Sequence, residues 1–336
     1  MGRGARTRRA ARIRRTATAR ALLAVFLAAG LAAGCTASDS PVDDGRGEPW
    51  PSPHEPRPDG DGGPPVLAVK LDNARAARPQ AGLDAADVVY VEQVEGGLSR
   101  LMAVYATRLP ESVGPVRSAR EADLELLRQF DQPILAFSGA QSRLLPLIDE
   151  APLEALTPGA PGSKAGVYVR GTARPSPHNL YLHPRRLLDD PPGRSALTTG
   201  FHHGSPPRGG EPEATHTVRY PAARFAFTWS DTRDRWLVSM DGDPAVTPQG
   251  ERLAPATVVV QYVTVRPSDY RDYLGNNTPY TETVGSGEAT VLRDGRAHDV
   301  RWSRPDATDG TSFTTNDGSP VNFARGQVWV VYAKAP

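Results

Sequence analysis

The first 35 residues place the strongest constraint on what this chain can fold into, because the pattern predicts that they lie outside the folded part. The first 20 residues hold eight arginines and no acidic residue. The apolar run ALLAVFLAAGLAA follows them at 21–33. A basic stretch before such a run is typical of a secretory signal, whereas a membrane-spanning helix needs about 20 apolar residues. We therefore assign residues 1–34 to a signal peptide.

Cys35 follows this segment and is the only cysteine of the chain. The sequence LAAGC resembles a bacterial lipobox, in which the chain is cut before the cysteine and the thiol is acylated with fatty acids such as palmitate. One departure is that Ala32 stands where the motif usually has leucine, with Leu31 one place earlier. The alternative is an ordinary signal peptide that leaves a free thiol, for which a secreted chain has little use. We predict lipidation of Cys35 and anchoring at the extracytoplasmic face of the bacterial cytoplasmic membrane.

Residues 36–65 are rich in Pro, Gly and Asp and nearly free of aliphatic side chains. Such a segment buries too little apolar surface to offset its conformational entropy. Residues 35–65 are therefore predicted to be the lipidated cysteine and a disordered tether, which would hold a folded body away from the membrane.

The charge balance changes once the signal peptide is removed. The chain has 39 basic and 38 acidic residues, and subtracting the eight N-terminal arginines leaves 31 basic residues, a balance near −7. An excess of negative charge argues against nucleic acid as a partner. With its one cysteine lipidated the chain forms no disulfide, so a hydrophobic core must stabilise the fold.

Residues 66–188 alternate β-rich runs with helical patterns. A strand is predicted at 66–73, and the runs at 87–95 and 100–107 flank the sequence GGLS, which favours a hairpin. Strands that alternate with helices indicate a mixed α/β domain.

A helix is predicted at 118–130, where apolar residues recur at helical spacing. Ser118 is its predicted N-cap, and Glu121 three places later completes a capping box. Pro133 bounds the helix, and a short buried strand and a short helix follow.

Residues 189–217 read as a loop or linker, and residues 218–336 as a β-rich domain with Gly, Asp and Pro turns. The predicted fold class is therefore α+β: a mixed α/β N-terminal domain followed by a smaller, mostly antiparallel β C-terminal domain. The four tryptophans of this second part are favoured as core over a patch that faces peptide or glycan; they are Trp229, Trp236, Trp302 and Trp329.

Several sequence blocks, in a fixed order, resemble the YerB-like family of bacterial lipoproteins, known as a two-part domain of unknown function. The N-terminal blocks are DNARAARPQAGLDAADVVYVEQVEGGLSRLMAVYA, VGPVRSAR and PHNLY, and the C-terminal blocks are GSGEATVLRDGRAHDVRW and DGSPVNFARGQVWVVY. Together they cover most of residues 66–336. The resemblance implies a lipid-anchored, extracytoplasmic protein with a mixed domain and a β domain, and it supplies no catalytic mechanism.

Polar side chains gather at the ends of the predicted elements of the first domain, and such ends can converge on one edge of a sheet. The candidate residues for binding an anion or another ligand are Asp72, Asn73, Arg78, Glu95, Arg100, Arg117, Arg120, His178 and Asn179.

Arg117 and Arg120 flank the predicted helix start, where exposed N–H groups and two guanidiniums would form a site for phosphate or carboxylate. The alternative is a structural network in which these arginines pair with Glu95 and Asp72. A salt bridge across the hairpin is a second structural explanation, for Glu95 and Arg100.

Catalytic residues stay unassigned. His178 is a candidate general base with Asn179 holding it, yet no nucleophile is marked nearby. The sequence contains no G-x-S-x-G, P-loop or H-E-x-x-H motif, and His202 and His203 lack the spacing of a zinc site, so no metal and no cofactor are predicted.

Three hypotheses follow. The leading one is a non-catalytic envelope lipoprotein that binds an anionic cell-envelope ligand or a partner protein. The competing one is a cell-wall enzyme, phosphotransferase-like or hydrolase-like, that uses the Arg and acid cluster of the N-terminal domain. The third is a structural scaffold whose C-terminal domain is the contact surface.

Overall fold

The computed structural model describes residues 64–159, 164–272 and 275–335. The predicted signal peptide, Cys35 and all but the last two residues of the predicted tether lie outside this part. Within the described residues, no helix has both the length and the apolar character needed to cross a membrane.

The described residues form strands connected by turns and a few short helices. The strands are β1 (Leu67–Asp72), β2 (Val88–Gln93), β3 (Ser99–Tyr105), β4 (Ile134–Ala136), β5 (Glu154–Leu156), β6 (Tyr168–Arg170), β7 (Leu180–Leu182), β8 (Glu211–Pro212), β9 (Thr215–Tyr220), β10 (Ala223–Ser230), β11 (Arg235–Met240), β12 (Asp243–Pro244), β13 (Thr257–Val263), β14 (Val265–Arg271), β15 (Asn277–Thr281), β16 (Gly285–Arg293), β17 (Arg296–Arg304), β18 (Ser312–Thr314) and β19 (Val328–Lys334). The α-helices are α1 (Glu121–Leu127) and α2 (Leu145–Glu150), and the 3₁₀ helices are Arg75–Ala77, Leu83–Ala85, Glu95–Gly97, Pro184–Arg186 and Arg194–Ala196.

One large sheet runs through both parts of the chain. Its strand order is β18-β17-β16-β13-β19-β2-β3-β1-β4-β5, and β8 pairs with β17. The C-terminal strand β19 lies between β13 and β2 and is parallel to both. Its sequence VWVVYAK is almost entirely buried, as expected for a parallel strand covered on both faces. The division of the chain at 189–217 stays a prediction.

The large sheet is covered on both faces, since alternate side chains of its strands enter two different cores. One core joins the strands to the four-stranded sheet β12-β11-β10-β9 through buried aromatic residues such as Phe225 and Trp236. The other core joins them to α1 and α2 through Leu126, Leu127 and Ile148. The large sheet is therefore the middle one of three layers.

The predicted fold class is wrong, because the described residues are mostly β, with several sheets and only two short α-helices. β1, β3 and β2 pair antiparallel without an intervening α-helix. The predicted hairpin is confirmed as β2 and β3, and the predicted strand at 66–73 as β1.

The helix predicted at 118–130 is shorter, because its first residues take part in extended structure. The backbone N–H of Arg117 donates to the carbonyl of Lys70, and that of Ala119 donates to Gly139. The helix begins at Glu121 and its N-cap is Arg120. The capping box predicted for Ser118 is therefore wrong.

The core interpretation of the tryptophans is confirmed for Trp236, Trp302 and Trp329, which are buried. Trp229 is half-buried and packs on Trp236, with ring centroids 5.4 Å apart. These side chains anchor the second half of the chain to the common sheet.

Candidate functional site

A cleft of about 600 Å³ lies where β1 ends and β3 begins, beside the N-terminus of α1. Residues of the second half of the chain, Tyr270–Asp272 and Thr278, form part of its wall. Six of the nine candidate residues line this cleft: Asp72, Glu95, Arg100, Arg117, Arg120 and His178.

The register of β1, β3 and β2 sets Arg100 between two acidic residues. Arg100 is opposite Asp72 of β1 and opposite Glu92 of β2. Directly opposed residues of antiparallel strands place their side chains on the same face. One face of these strands packs against α1, and at the cleft this face ends in polar side chains.

Arg120 and Glu95 form a bidentate ion pair in the wall of the cleft. Arg120 donates from Nε and Nη2 to the two carboxylate oxygens of Glu95 at 2.6 and 2.7 Å, and from Nη1 to the carbonyl of Ala119 at 2.9 Å. Thr278 Oγ1 also donates to Glu95, at 2.6 Å. Burial alone would raise the pKa of Glu95, but the hydrogen bonds and charge of Arg120 hold it below its ordinary value. Arg120 is thus committed to a structural pair.

The start of α1 adds no free donor at Arg120. The backbone N–H of Arg120 was expected to face an anion. It donates instead to Asp123 Oδ2 at 2.7 Å. With seven residues, α1 is also too short to act as an anion site by its terminus.

Asp72 holds His178 and approaches Arg117. Asp72 Oδ2 lies 2.8 Å from His178 Nδ1 and 3.4 Å from Arg117 Nε, and Asp72 Oδ1 accepts the N–H of Ala74 at 3.0 Å. A carboxylate on Nδ1 fixes the orientation of the imidazole, and His178 itself lines the cleft. The expected role of Asn179 as the group that holds His178 is wrong, because Asn179 binds Gly171 and Arg170 instead.

Arg100 is a buried cation of the cleft that has no direct carboxylate partner among the described residues. The residue is 9% exposed, and its Nη1 donates to the carbonyl of Ser118 at 2.8 Å. In the described part of the chain, no carboxylate oxygen lies within 4 Å of its guanidinium nitrogens, so the cross-strand salt bridge with Glu95 does not form. Burial, and next the charge of Arg120, lower the pKa of Arg100 to about 9, which leaves it charged at neutral pH.

Other acidic groups of the cleft have their own partners or a reduced tendency to ionise. Asn276 donates from its backbone and side chain to Asp272, at 2.8 and 2.9 Å. Burial, the leading cause, raises the pKa of Glu121. Among the described residues no carboxylate pairs directly with Arg100, so Glu95 and Asp72 compensate its charge only from a distance.

Lys70 lies behind the cleft, fully buried between Glu92 and Asp123. Its Nζ donates to Asp123 Oδ1 at 2.7 Å. Burial, opposed by the charge of Asp123, lowers its pKa to about 8. Asp123 therefore connects a buried lysine to the backbone of Arg120, which fixes the start of α1.

Asn73 and Arg78 lie next to the cleft rather than in it. Arg78 donates to the side-chain and backbone oxygens of Asn73 at 3.1 and 2.7 Å, and it pairs with Asp241 at 2.9 Å. These contacts connect the end of β1 to the four-stranded sheet and leave both residues in a structural role.

A second cleft of about 590 Å³ is lined by Val169, Arg174 and His183 among others. Its arginine is satisfied by the protein, since Arg174 donates to the Tyr181 hydroxyl at 2.9 Å and to the carbonyl of Pro79 at 3.1 Å. In the described ranges, no group of three His, Cys, Asp or Glu side chains could hold a metal ion.

Sequence reasoning missed the partners that come from distant segments. Asp72 and His178 are 106 residues apart, and Glu95 and Thr278 are 183 residues apart. No spacing signal connects positions this far apart, so only the fold reveals them. The contribution of Tyr270–Asp272 was missed for the same reason.

The two parts of the chain match the two models of one family. The N-terminal domain of a protein of unknown function (DUF3048) matches residues 55–196, and the C-terminal domain of the same family matches residues 216–330. These matches cover more than half of the chain, which therefore belongs to the DUF3048 family. The expected resemblance to YerB-like proteins is confirmed.

YerB of Bacillus subtilis is similar to this chain in sequence and in structure. A protein called "Putative lipoprotein YerB", of Bacillus subtilis (strain 168), is 46% identical over 65 residues, which span 19% of this chain and a fifth (20%) of that protein. The crystal structure of YerB from Bacillus subtilis aligns with a TM-score of 0.66 over 81% of this chain and 91% of that chain, at 19% identity. At that identity the likeness shows the fold alone.

Proposed function

We propose that this protein is a non-catalytic lipoprotein of the bacterial cell envelope whose cleft binds an anionic ligand. The LAAGC sequence at Cys35 and the similarity to a protein described as a lipoprotein support the anchor. Mass spectrometry of the protein from the membrane fraction should find Cys35 acylated at the N-terminus of the cut chain, and a chain whose Cys35 thiol is free would contradict the anchor.

The observation that carries the ligand proposal is the buried charge of Arg100, which has no direct carboxylate partner among the described residues. Burying a cation without an anionic partner is costly, and a bound anion would offset that cost. The charge also persists at neutral pH, because the lowered pKa of Arg100 is still about 9.

Arg117 is the second cation available to the ligand. Its side chain is 27% exposed, and its Nε lies 3.4 Å from Asp72, so the guanidinium is only partly engaged. Two guanidiniums that line one cleft suit the oxygens of a phosphate or a carboxylate. Arg120 and Glu95 instead form the wall that keeps these two groups in place.

Titration of the purified full chain with sodium phosphate and with sodium citrate, followed by calorimetry, tests this proposal. Arg100→Met should weaken binding of the preferred anion at least about tenfold, because a hydrogen bond to a charged group contributes about 1.5–3 kcal/mol. Arg75→Met is the matched control, since the Arg75 side chain is 67% exposed and lies outside the cleft. Binding that is absent in the unmodified chain, or equal in both variants, would overturn the proposal.

A second candidate function is favoured by the contact between Asp72 and His178. A carboxylate that holds Nδ1 leaves Nε2 as a possible general base beside two arginines. In a hydrolase, that nitrogen would take a proton from water as the water oxygen attacks the phosphorus of a phosphate ester, and the ester oxygen would leave with a proton from solvent.

Turnover of a lipid-linked cell-wall precursor by the purified full chain would decide for the enzyme. His178→Gln should then abolish turnover while phosphate binding persists. Absence of turnover in the unmodified chain, with binding retained, leaves the binding protein as the function.

A further inference from the structure

The cleft that holds Arg100 is also lined by apolar side chains. Val94, Leu98, Ala140 and Leu144 line it together with the arginines. Its volume of about 600 Å³ lies within the range of roughly 300–1,000 Å³ typical of small-molecule sites, well beyond the needs of an inorganic anion. A ligand that fills it must carry more than a phosphate or a carboxylate.

Leu98 is the apolar residue of the cleft that is open to solvent. It is 46% exposed and lies two positions before Arg100, in the turn between β2 and β3. A single exposed leucine is ordinary on a protein surface. Here, however, the other large exposed aliphatic side chains of the described residues include Leu145 and Leu147 of α2, the helix that follows Leu144 of the cleft.

The turn that carries Leu98 is held in one conformation by its glycines and by a hydrogen bond. Gly96 and Gly97 both adopt positive φ, at 68° and 72°, which glycine tolerates without strain. The carbonyl of Gly97 accepts the N–H of Ala222 at 2.9 Å, and a Cβ at Gly97 would lie 2.6 Å from Pro221. The fold therefore fixes Leu98 beside the arginines.

We infer that the ligand is an anionic amphiphile, with its charged headgroup at Arg100 and Arg117 and its apolar chain along Leu98 and Leu144. This inference rests on the proposed anion-binding function and names the class of ligand. The lining of the cleft supplies the complementary chemistry, namely guanidinium groups together with apolar side chains. A phosphate ester is the suitable headgroup for the test, because its oxygens can accept from both guanidiniums.

Two probes with the same headgroup test the inference: glycerol 1-phosphate, which has no acyl chain, and dihexanoyl phosphatidate. Calorimetry uses the purified full chain in one neutral detergent throughout. Burial of the acyl chains should make dihexanoyl phosphatidate bind at least about tenfold more tightly. Leu98→Ser should reduce that advantage to about threefold or less and leave the affinity for glycerol 1-phosphate within about twofold.

Val169→Ser is the matched control, because Val169 is 42% exposed and lines the second cleft. It should leave both affinities unchanged. Equal binding of the two probes, or an acyl preference that Leu98→Ser does not reduce, would overturn the inference while the proposed anion site stands. Failure of both probes to bind would overturn the anion site and the inference with it.

Discussion

At the scale of single residues, the cleft contains two ion pairs of different kinds. The pair of Arg120 and Glu95 uses both carboxylate oxygens and is closed on itself. The contact of Arg117 with Asp72 is a single longer approach of 3.4 Å, shared with His178. The closed pair gives the cleft a fixed wall, and the open contact leaves donors for a ligand.

Glu95→Gln should lower the free energy of unfolding by about 2 kcal/mol at pH 7, because hydrogen bonds with a charged partner contribute about 1.5–3 kcal/mol. The pKa of Glu95 is lower in the folded chain than in the unfolded chain. Its stabilisation is therefore full above the ordinary value of 4.5 and is lost as the pH falls through the folded-state pKa. Denaturant unfolding at pH 7 and at successively lower pH values measures both effects.

Glu288→Gln serves as the control, because Glu288 is exposed on β16. It should change the unfolding free energy little at either pH. A Glu95→Gln variant whose deficit stays constant from neutral to acidic pH would show that the carboxylate charge contributes no stability.

At the scale of elements, α1 is held from its C-terminal end by a residue of the other half of the chain. Arg304 of β17 is 1% exposed and donates to the carbonyls of Glu125 and Ala307 at 2.9 and 2.6 Å. It also donates to the carbonyl of Asp309 and the hydroxyl of Thr283, at 3.0 and 2.7 Å. A buried guanidinium thus completes the end of a seven-residue helix, which would be marginal alone.

Arg304→Met should lower the free energy of unfolding by about 3 kcal/mol or more, because several buried carbonyls lose their donor at about 1–3 kcal/mol each. Hydrogen exchange of the α1 amides should accelerate more than that of β10 and β11, which belong to a separate sheet. Arg301→Met, at an exposed position of the same strand, is the control. Equal acceleration throughout the molecule would mean that Arg304 stabilises the whole fold rather than α1.

At the scale of the whole molecule, the last strand connects the two parts of the chain. β19 pairs with β13 on one side and with β2 on the other, so the large sheet has no direct contact between β13 and β2. Trp329 and Val331 are fully buried in the core that joins this sheet to the four-stranded sheet. β19 is therefore a central strand of the large sheet and part of its core.

Truncation before Val328 should abolish cooperative unfolding, because it removes the central strand and exposes two apolar edges. Thermal unfolding followed by circular dichroism measures the loss. A chain that ends at Lys334 keeps β19 entire and should unfold cooperatively. A cooperative transition in the shorter chain would show that the N-terminal part folds without its C-terminal partner strand.

Local features of the fold could be predicted from the sequence, and non-local ones could not. The hairpin of β2 and β3 was predictable because two alternating β-rich runs flank a pair of glycines. The extent of α1 was not, because the segment before it is extended and its Arg117 and Ala119 N–H groups donate to the carbonyls of Lys70 and Gly139. Likewise, the structural alternative that pairs Arg117 and Arg120 with Glu95 and Asp72 was predictable and both pairs form, whereas the contact of Asp72 with His178 was not.

The sequence by itself determined the family, the positions of most strands near the cleft and the chemical character of that region. Those properties depend on residues that are neighbours along the chain, where alternation, turns and ordered motifs leave a direct record. Only the tertiary structure decided the fold class, the choice of Asp72 as the partner of His178, and the absence of a direct carboxylate partner for Arg100 among the described residues. Each of these depends on which distant segments pack together, as when β19 inserts beside β2, and that is set by the burial of the whole core rather than by local pattern.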